Sequence, residues 1–430
     1  TKKVIGIHKR ENIINQTNGG TFIGVIFNKI NNDLNQIINN KTFNNNNKII
    51  VIANNAENPE NSKNIYEERI KKLERKIEYN KIQTVLTNAP KKKIAKYDFE
   101  NSINTIVIFK NYLLAGSRNG SIKCFDIVKD EEDDDPGILF SIDKAHEKEI
   151  NYIMKENNDE IISCGDDGLI KRWFIDLQNF QYKLIEVFLI NNSNKVHKSV
   201  NQIIKLKNGN YCSCGNDYTI KFWVKTNEFS ETECYDILKC EAEYVQSIIE
   251  LENNKIVVGS WWHTQFFDIK NFKAETDIKD TFTQSPNSMI RMGEKIICAG
   301  RKIDFIDIKT QKLISSIPIE VMEGVTEEEI CSVCPLNDDL IICAGNLRTV
   351  DVYDVNTFEK VAIRSIKDEF IFDIKCFHET YVFGGTSIFC YLISGLKELD
   401  EETKKYYQEI NDRRMNIAKE VLELCENFKL

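Results

Sequence analysis

Apolar residues along the body of the chain recur at alternate positions, in short runs broken by polar turns, and this period of two predicts β-strands. The clearest unit is Glu160-Ile-Ile-Ser-Cys-Gly-Asp-Asp-Gly-Leu-Ile-Lys-Arg-Trp173, which returns as Asn210-Tyr-Cys-Ser-Cys-Gly-Asn-Asp-Tyr-Thr-Ile-Lys-Phe-Trp223. An apolar strand ends in small residues, a tight polar turn follows, and a second strand closes on a large aromatic, which is the pattern of a hairpin. Weaker copies span Tyr112 to Asp126, Lys255 to Asp268, Lys295 to Asp307, Leu340 to Asp354 and Thr380 to Leu392. The closing positions Phe125, Trp173, Trp223, Phe267, Ile306, Tyr353 and Tyr391 are on average about 44 residues apart, the period of a four-stranded propeller blade. Seven such units can close a ring and so protect the sheet edges that an open array would expose. The expected fold is therefore all-β, a seven-bladed β-propeller over residues 82–394.

Outside the ring the pattern changes. Leu399, Tyr406, Ile410, Ile417, Val421, Leu424 and Phe428 fall three and four apart in a segment without Pro or Gly, so an amphipathic helix is expected over 397–428 within a C-terminal extension, 395–430. Its apolar stripe packs on the chain's own body or pairs with a partner helix. A shorter stripe, Tyr66, Ile70, Leu73 and Ile77, predicts a short helix in a linker segment, 36–81, that also holds the Asn-rich tract 39–47. The last repeat has three strands, and the alternation of Ile82-Gln-Thr-Val-Leu-Thr87 suggests that it supplies the fourth and latches the ring. The carboxylates of Asp130 to Asp135 repel one another and predict a solvated loop between the first two blades; they lack the spacing of a calcium loop.

At its repeats the chain resembles the WD-repeat family. In that family a His before the first strand, a Ser or Thr on the second, an Asp in the turn and the Trp form a buried hydrogen-bonded set that stiffens a blade. The resemblance implies two such sets, His146, Ser163, Asp167 and Trp173, then His197, Ser213, Asp217 and Trp223. The other blades depart from it, with Ala115, Val258, Cys298 and Cys343 at or near the Ser position. A Ser, a His and an Asp also suggest a hydrolase triad, but here the Ser precedes the Asp by four residues on one hairpin and the set recurs with the repeat, so a structural role is expected. Trp261, Trp262 and His263 occupy a turn where the repeat has small polar residues, which makes them candidate partner-binding anchors, although one of them tucking into the neighbouring blade is an equal expectation.

Near the start, Lys3-Val-Ile-Gly-Ile-His8 and Gly20-Thr-Phe-Ile-Gly-Val-Ile26 predict a strand pair within residues 1–35, too little to fold alone. The pair is similar to the C-terminal end of trypsin-like serine peptidases, where a Gly-x-Ser-Gly turn precedes a strand of this type. The resemblance implies that the chain begins after such a nucleophile; His8 matches the strand and not the general base. The alternative is a hairpin docked on the propeller.

Composition sharpens the functional reading. Hydrophobic residues at 42%, with six prolines and nineteen glycines, imply that most of the chain folds. Thirteen cysteines, an odd number lying mostly within apolar runs, indicate buried thiols in a reducing compartment, an intracellular and cytoplasmic location. Cys212/Cys214 and Cys331/Cys334 have no second Cys or His pair at zinc spacing. The net charge of −9 hides an asymmetry: residues 1–99 hold 18 Lys and Arg against 9 Asp and Glu, and the rest 39 against 57. The basic front is expected to be a solvated extension; the acidic ring argues against nucleic acid as partner. No stretch has the length and apolarity of a membrane helix, and no signal peptide is apparent. No catalytic residue, cofactor or metal is expected, since no cluster of His or carboxylates converges in the repeats. The expectation is a non-catalytic scaffold for protein partners; the alternative is the targeting or substrate-selecting arm of a longer trypsin-like peptidase.

Overall fold

A computed structural model describes residues 59–393 apart from 90, 97–99, 111, 127–137, 191–192, 194, 226–230, 242–243, 320–327, 348, 367–369 and 378–379. The strand pair expected in 1–35, the Asn-rich tract, the acidic run 130–135 and the helix expected over 397–428 lie outside the described residues. The chain divides into one unit up to Thr84 and a second from Val85. Helix α1, Pro59–Asn88, contains the expected stripe but is longer than that stripe predicts.

The second unit holds seven four-stranded antiparallel sheets. The closing sheet borrows β1 (Lys91–Lys96) from the start of the unit. The first blade is β2 (Ile103–Phe109), β3 (Tyr112–Ser117), β4 (Ile122–Asp126) and β5 (Ile138–Ile142). The second is β6 (Ile150–Lys155), β7 (Glu160–Gly165), β8 (Ile170–Asp176) and β9 (Gln181–Val187). The third is β10 (Val200–Lys205), β11 (Tyr211–Gly215), β12 (Thr219–Val224) and β13 (Glu233–Lys239). The fourth is β14 (Val245–Glu250), β15 (Lys255–Ser260), β16 (His263–Asp268) and β17 (Lys273–Lys279). The fifth is β18 (Met289–Met292), β19 (Lys295–Ala299), β20 (Lys302–Asp307) and β21 (Lys312–Pro318). The sixth is β22 (Ile330–Pro335), β23 (Leu340–Gly345), β24 (Thr349–Asp354) and β25 (Lys360–Ser365). The seventh is β26 (Ile371–Phe377), β27 (Thr380–Gly385) and β28 (Ser387–Leu392), completed by β1 on the outside. First strands of neighbouring blades pack together around the centre, β2 against both β6 and β26, so the ring is closed.

The core lies between blades. Phe109 and Leu114 of the first blade pack with Ile150, Ile153 and Trp173 of the second, and Ala95, Val382 and Ile388 of the seventh pack with Ile103 and Ile106 of the first. All seven closing residues of the repeat are buried, from Phe125, Trp223 and Ile306 at 0% exposure to Trp173 at 5%. The small residues at the ends of the second strands have a steric cause. A Cβ on Gly165 would lie 2.2 Å from the Glu149 carbonyl oxygen, and one on Gly215 would lie 2.1 Å from that of Ser199, so the loop entering each blade needs glycine there.

The latch is N-terminal, as expected, but it is a different segment. Ile82 to Thr87 is helical, within α1, and the closing strand is β1, paired to β28 from Lys91↔Tyr391 to Lys96↔Ser387. Ile82 and Leu86 are four residues apart, a spacing that suits one face of a helix as well as a strand. Lys91-Lys-Lys-Ile-Ala-Lys96 hides its strand because it sits on an exposed edge, where lysines deter pairing with other chains. Lys91 covers the Phe389 ring at 4.1 Å. Arg364 of the sixth blade stacks on Tyr391 at 3.9 Å and donates to the Leu86 and Ala89 carbonyls, both at 2.7 Å, satisfying the acceptors left open at the end of α1.

Candidate functional site

Three groups of polar and aromatic residues stand out from the blade cores. The first comprises the two His-Asp-Ser-Trp sets. Trp173 Nε1 donates to Ser163 Oγ at 2.9 Å, Ser163 Oγ and His146 Nε2 are 2.8 Å apart, and His146 Nδ1 meets Asp167 Oδ1 and Oδ2 at 2.9 Å. The third blade repeats the path: Trp223 Nε1 to Ser213 Oγ at 2.9 Å, Ser213 to His197 Nε2 at 2.9 Å, and His197 Nδ1 to Asp217 at 2.7 Å. Because indole N–H can only donate, each serine hydroxyl passes its own proton toward Nε2, which leaves Nδ1–H to face the carboxylate. Asp167 also accepts the Glu147 and Leu169 amides at 3.1 Å, and Asp217 holds the Lys221 ammonium at 2.7 Å.

Ser163 and Ser213 are 0% exposed, so no substrate carbonyl reaches either hydroxyl. Burial holds both histidines below their ordinary pKa, against the opposing pull of the partner aspartates. Burial is the largest single influence on Asp167 and Asp217 and would raise both, but His146 with the Leu169 and Glu147 amides, and His197 with Lys221 and Thr219, together outweigh it and lower both carboxyls. In the unfolded chain each histidine takes up a proton as the pH falls through about 6.5. The stability these neutral imidazoles contribute is therefore present above that value and declines as the pH drops toward their folded pKa. The denaturation midpoint is expected to fall between about pH 7 and pH 5.5, and to fall less steeply in the His146→Gln/His197→Gln double variant. Equal slopes for the two proteins would contradict this role.

The second group is a ring at the inner ends of the blades. In every blade but the fifth, a β-bulge follows the first residue of the innermost strand, and the residue after it is Thr105, Tyr152, Gln202, Ser247, Ser332 or Asp373. A bulge re-aims the side chain that follows it. Four of these side chains accept a backbone N–H of the next blade: Ile153 to Thr105 at 3.4 Å, Ile248 to Gln202 at 2.5 Å, Ile374 to Ser332 at 3.0 Å and Ile106 to Asp373 at 2.8 Å. The Asn287 carbonyl does the same for Val333 at 3.0 Å. Two contacts also skip a blade, Gln202 to the Pro286 carbonyl at 3.3 Å and Lys375 to Asn287 Oδ1 at 3.1 Å. Lys375 is bound to Asp373 as well, at 2.6 Å. Sequence reading misses this ring, whose only signal is one polar residue at a fixed place inside an apolar strand.

The third group is aromatic. Tyr244 stacks on Trp261 at 4.9 Å, Trp261 on Phe282 at 6.5 Å, and Trp262 meets Phe282 edge-on at 5.5 Å. The Arg301 guanidinium lies over the Phe282 ring at 5.5 Å and is held by Glu329 at 2.7 Å. Of the residues singled out from the sequence, Trp261 is enclosed in this stack and His263 is tied to Asp277 at 2.9 Å, whereas Trp262 is 54% exposed. The flanking Tyr244, 37% exposed, lies beyond the turn and carries no repeat signal.

Among the described residues no group of three or more His, Cys, Asp or Glu could hold a metal ion, and no helix is long and apolar enough to cross a membrane. These features define a seven-bladed β-propeller, two of whose blades carry buried His-Asp-Ser-Trp sets. No protein-family model matches the sequence, and no curated protein does.

Proposed function

We propose that this propeller is a non-catalytic platform of the WD-repeat type, working inside the cell, and that it binds protein partners through the aromatic stack crowned by Trp262. The observation that carries the reading is that indole, 54% exposed and braced edge-on by Phe282 within a stack that also holds Tyr244 and Trp261. A large aromatic held rigid before binding contributes contact area with little loss of side-chain entropy, the property of interface anchors. The His-Asp-Ser-Trp sets support the WD-repeat reading, and the sealed serines favour stiffening over hydrolysis. The twelve described cysteines, all thiols, suit a reducing interior.

The test is affinity capture with the full chain and with Trp262→Ala, followed by quantitation of retained proteins. The variant is expected to unfold within about 0.5 kcal/mol of the parent, as surface changes do. It is also expected to lose at least tenfold of a discrete partner set, equivalent to about 1.4 kcal/mol of binding. Identical retention by the two proteins would refute the stack as the contact.

A further inference from the structure

The seam between the sixth and seventh blades brings two cysteines together. Ser332 of β22 accepts the Ile374 N–H of β26 at 3.0 Å. Two residues further along both strands the same contact recurs with sulfur, the Cys376 N–H donating to the Cys334 thiol. Period-two alternation puts Cys334 on the face of β22 that carries Ser332. Tyr381, paired with Cys376 in register, reaches the Leu336 and Pro335 carbonyls at 3.1 and 3.4 Å, so the face of the seventh blade that bears Cys376 is turned toward the sixth. Cys334 is 8% exposed, while Cys376 is the exposed residue among the described cysteines.

We infer that Cys334 and Cys376 are an oxidisable pair, a modification site at which a disulfide staples the sixth blade to the seventh. The co-reactant is a small disulfide such as oxidised glutathione. The exposed Cys376 thiolate attacks one of its sulfurs and releases the first glutathione. Cys334 then gives up its proton to water and attacks the Cys376 sulfur, expelling the second. Two protein thiols lose two electrons, and the small disulfide becomes two thiols. Burial pushes the Cys334 thiol up to about 12, so this second step is the slow one and quickens as the pH rises. In a reducing compartment such a bond forms under oxidative load and is reversed afterwards.

The test uses the full reduced chain, incubated with oxidised glutathione at about pH 8.5 to favour thiolate, then alkylated, digested without reductant and read by mass spectrometry. The expected product is a peptide pair joined through Cys334 and Cys376, reversed by dithiothreitol and accompanied by a rise in Tm of roughly 5 °C. Cys376→Ser, a change at an exposed position that leaves the fold intact, is expected to give neither the pair nor the rise. A stable glutathione adduct on Cys376 with no cross-link, a cross-link from Cys376 to another cysteine, or a Cys334–Cys376 link with no rise in Tm would each overturn the inference.

Discussion

Asp373→Ala is expected to destabilise the propeller by about 3 kcal/mol in chemical denaturation, more than an ordinary substitution. Asp373 is 0% exposed, accepts the Ile106 amide of the first blade and binds Lys375 of its own strand. Alanine orphans a buried amide and leaves Lys375, whose other partner is the neutral Asn287 side chain, without its countercharge. The figure belongs at the low end of the range for a broken buried pair, because the Lys375 side chain keeps 31% of its surface exposed and water screens part of its charge. Asp373→Asn keeps an acceptor for Ile106 and should fall between the two. In Asp373→Ala/Lys375→Met the losses are expected to sum to less than the two single changes, since each single variant strands a charge that the double does not. A parent-like midpoint for Asp373→Ala would remove the inner ring from any role in closure.

A chain from which residues 1–96 have been removed is expected to lose more than about 4 kcal/mol and to unfold over a broader range than one retaining β1. The seventh blade would keep three strands, and the β28 edge, with six residues from Ser387 to Leu392, would lose its ladder. Ala95 would also leave the cluster it shares with Ile388, Cys390 and Ile103. Unfolding monitored by circular dichroism and by tryptophan fluorescence decides the matter. Coincident, unshifted transitions in the truncated chain would mean that blade closure does not depend on β1.

The ring was legible in the sequence because each blade ends its third strand on a buried residue that must be large, and these positions recur 38 to 50 residues apart even where the hydrogen-bonded set is lost. Trp173 and Trp223 signal this directly, Ile306 holds the same place by packing, and Tyr353 by packing together with a hydrogen bond from its hydroxyl to Asp351 at 3.3 Å. Strand alternation fails where one face has no core to meet. β1 lies on the outer edge with three consecutive lysines and carries no alternation, so Ile82 to Thr87, which has it, is the more attractive strand in sequence and is helical in the fold. The inner ring escaped for another reason. Thr105, Gln202, Ser332 and Asp373 share a task, accepting one backbone N–H, that any oxygen-bearing side chain performs, so no residue type repeats. In the aromatic turn the sequence marked the tripeptide Trp261 to His263 and left open which member tucks inward. Trp261 fills the gap between Tyr244 and Phe282, and that enclosure turns Trp262 outward.

The pairing of β1 with β28 also has a mechanical side. The strands are antiparallel, and Lys91, where β1 begins, lies opposite Tyr391, one residue from the end of β28. Tension applied through the chain before Lys91 and after Leu392 therefore acts at one end of the ladder and opens its rungs one after another, as a zipper is drawn, instead of shearing them all together. A fastening that is cooperative against heat is thus compliant to a pull from its two ends, and the seventh blade would yield first while the six blades with continuous chains bear no load.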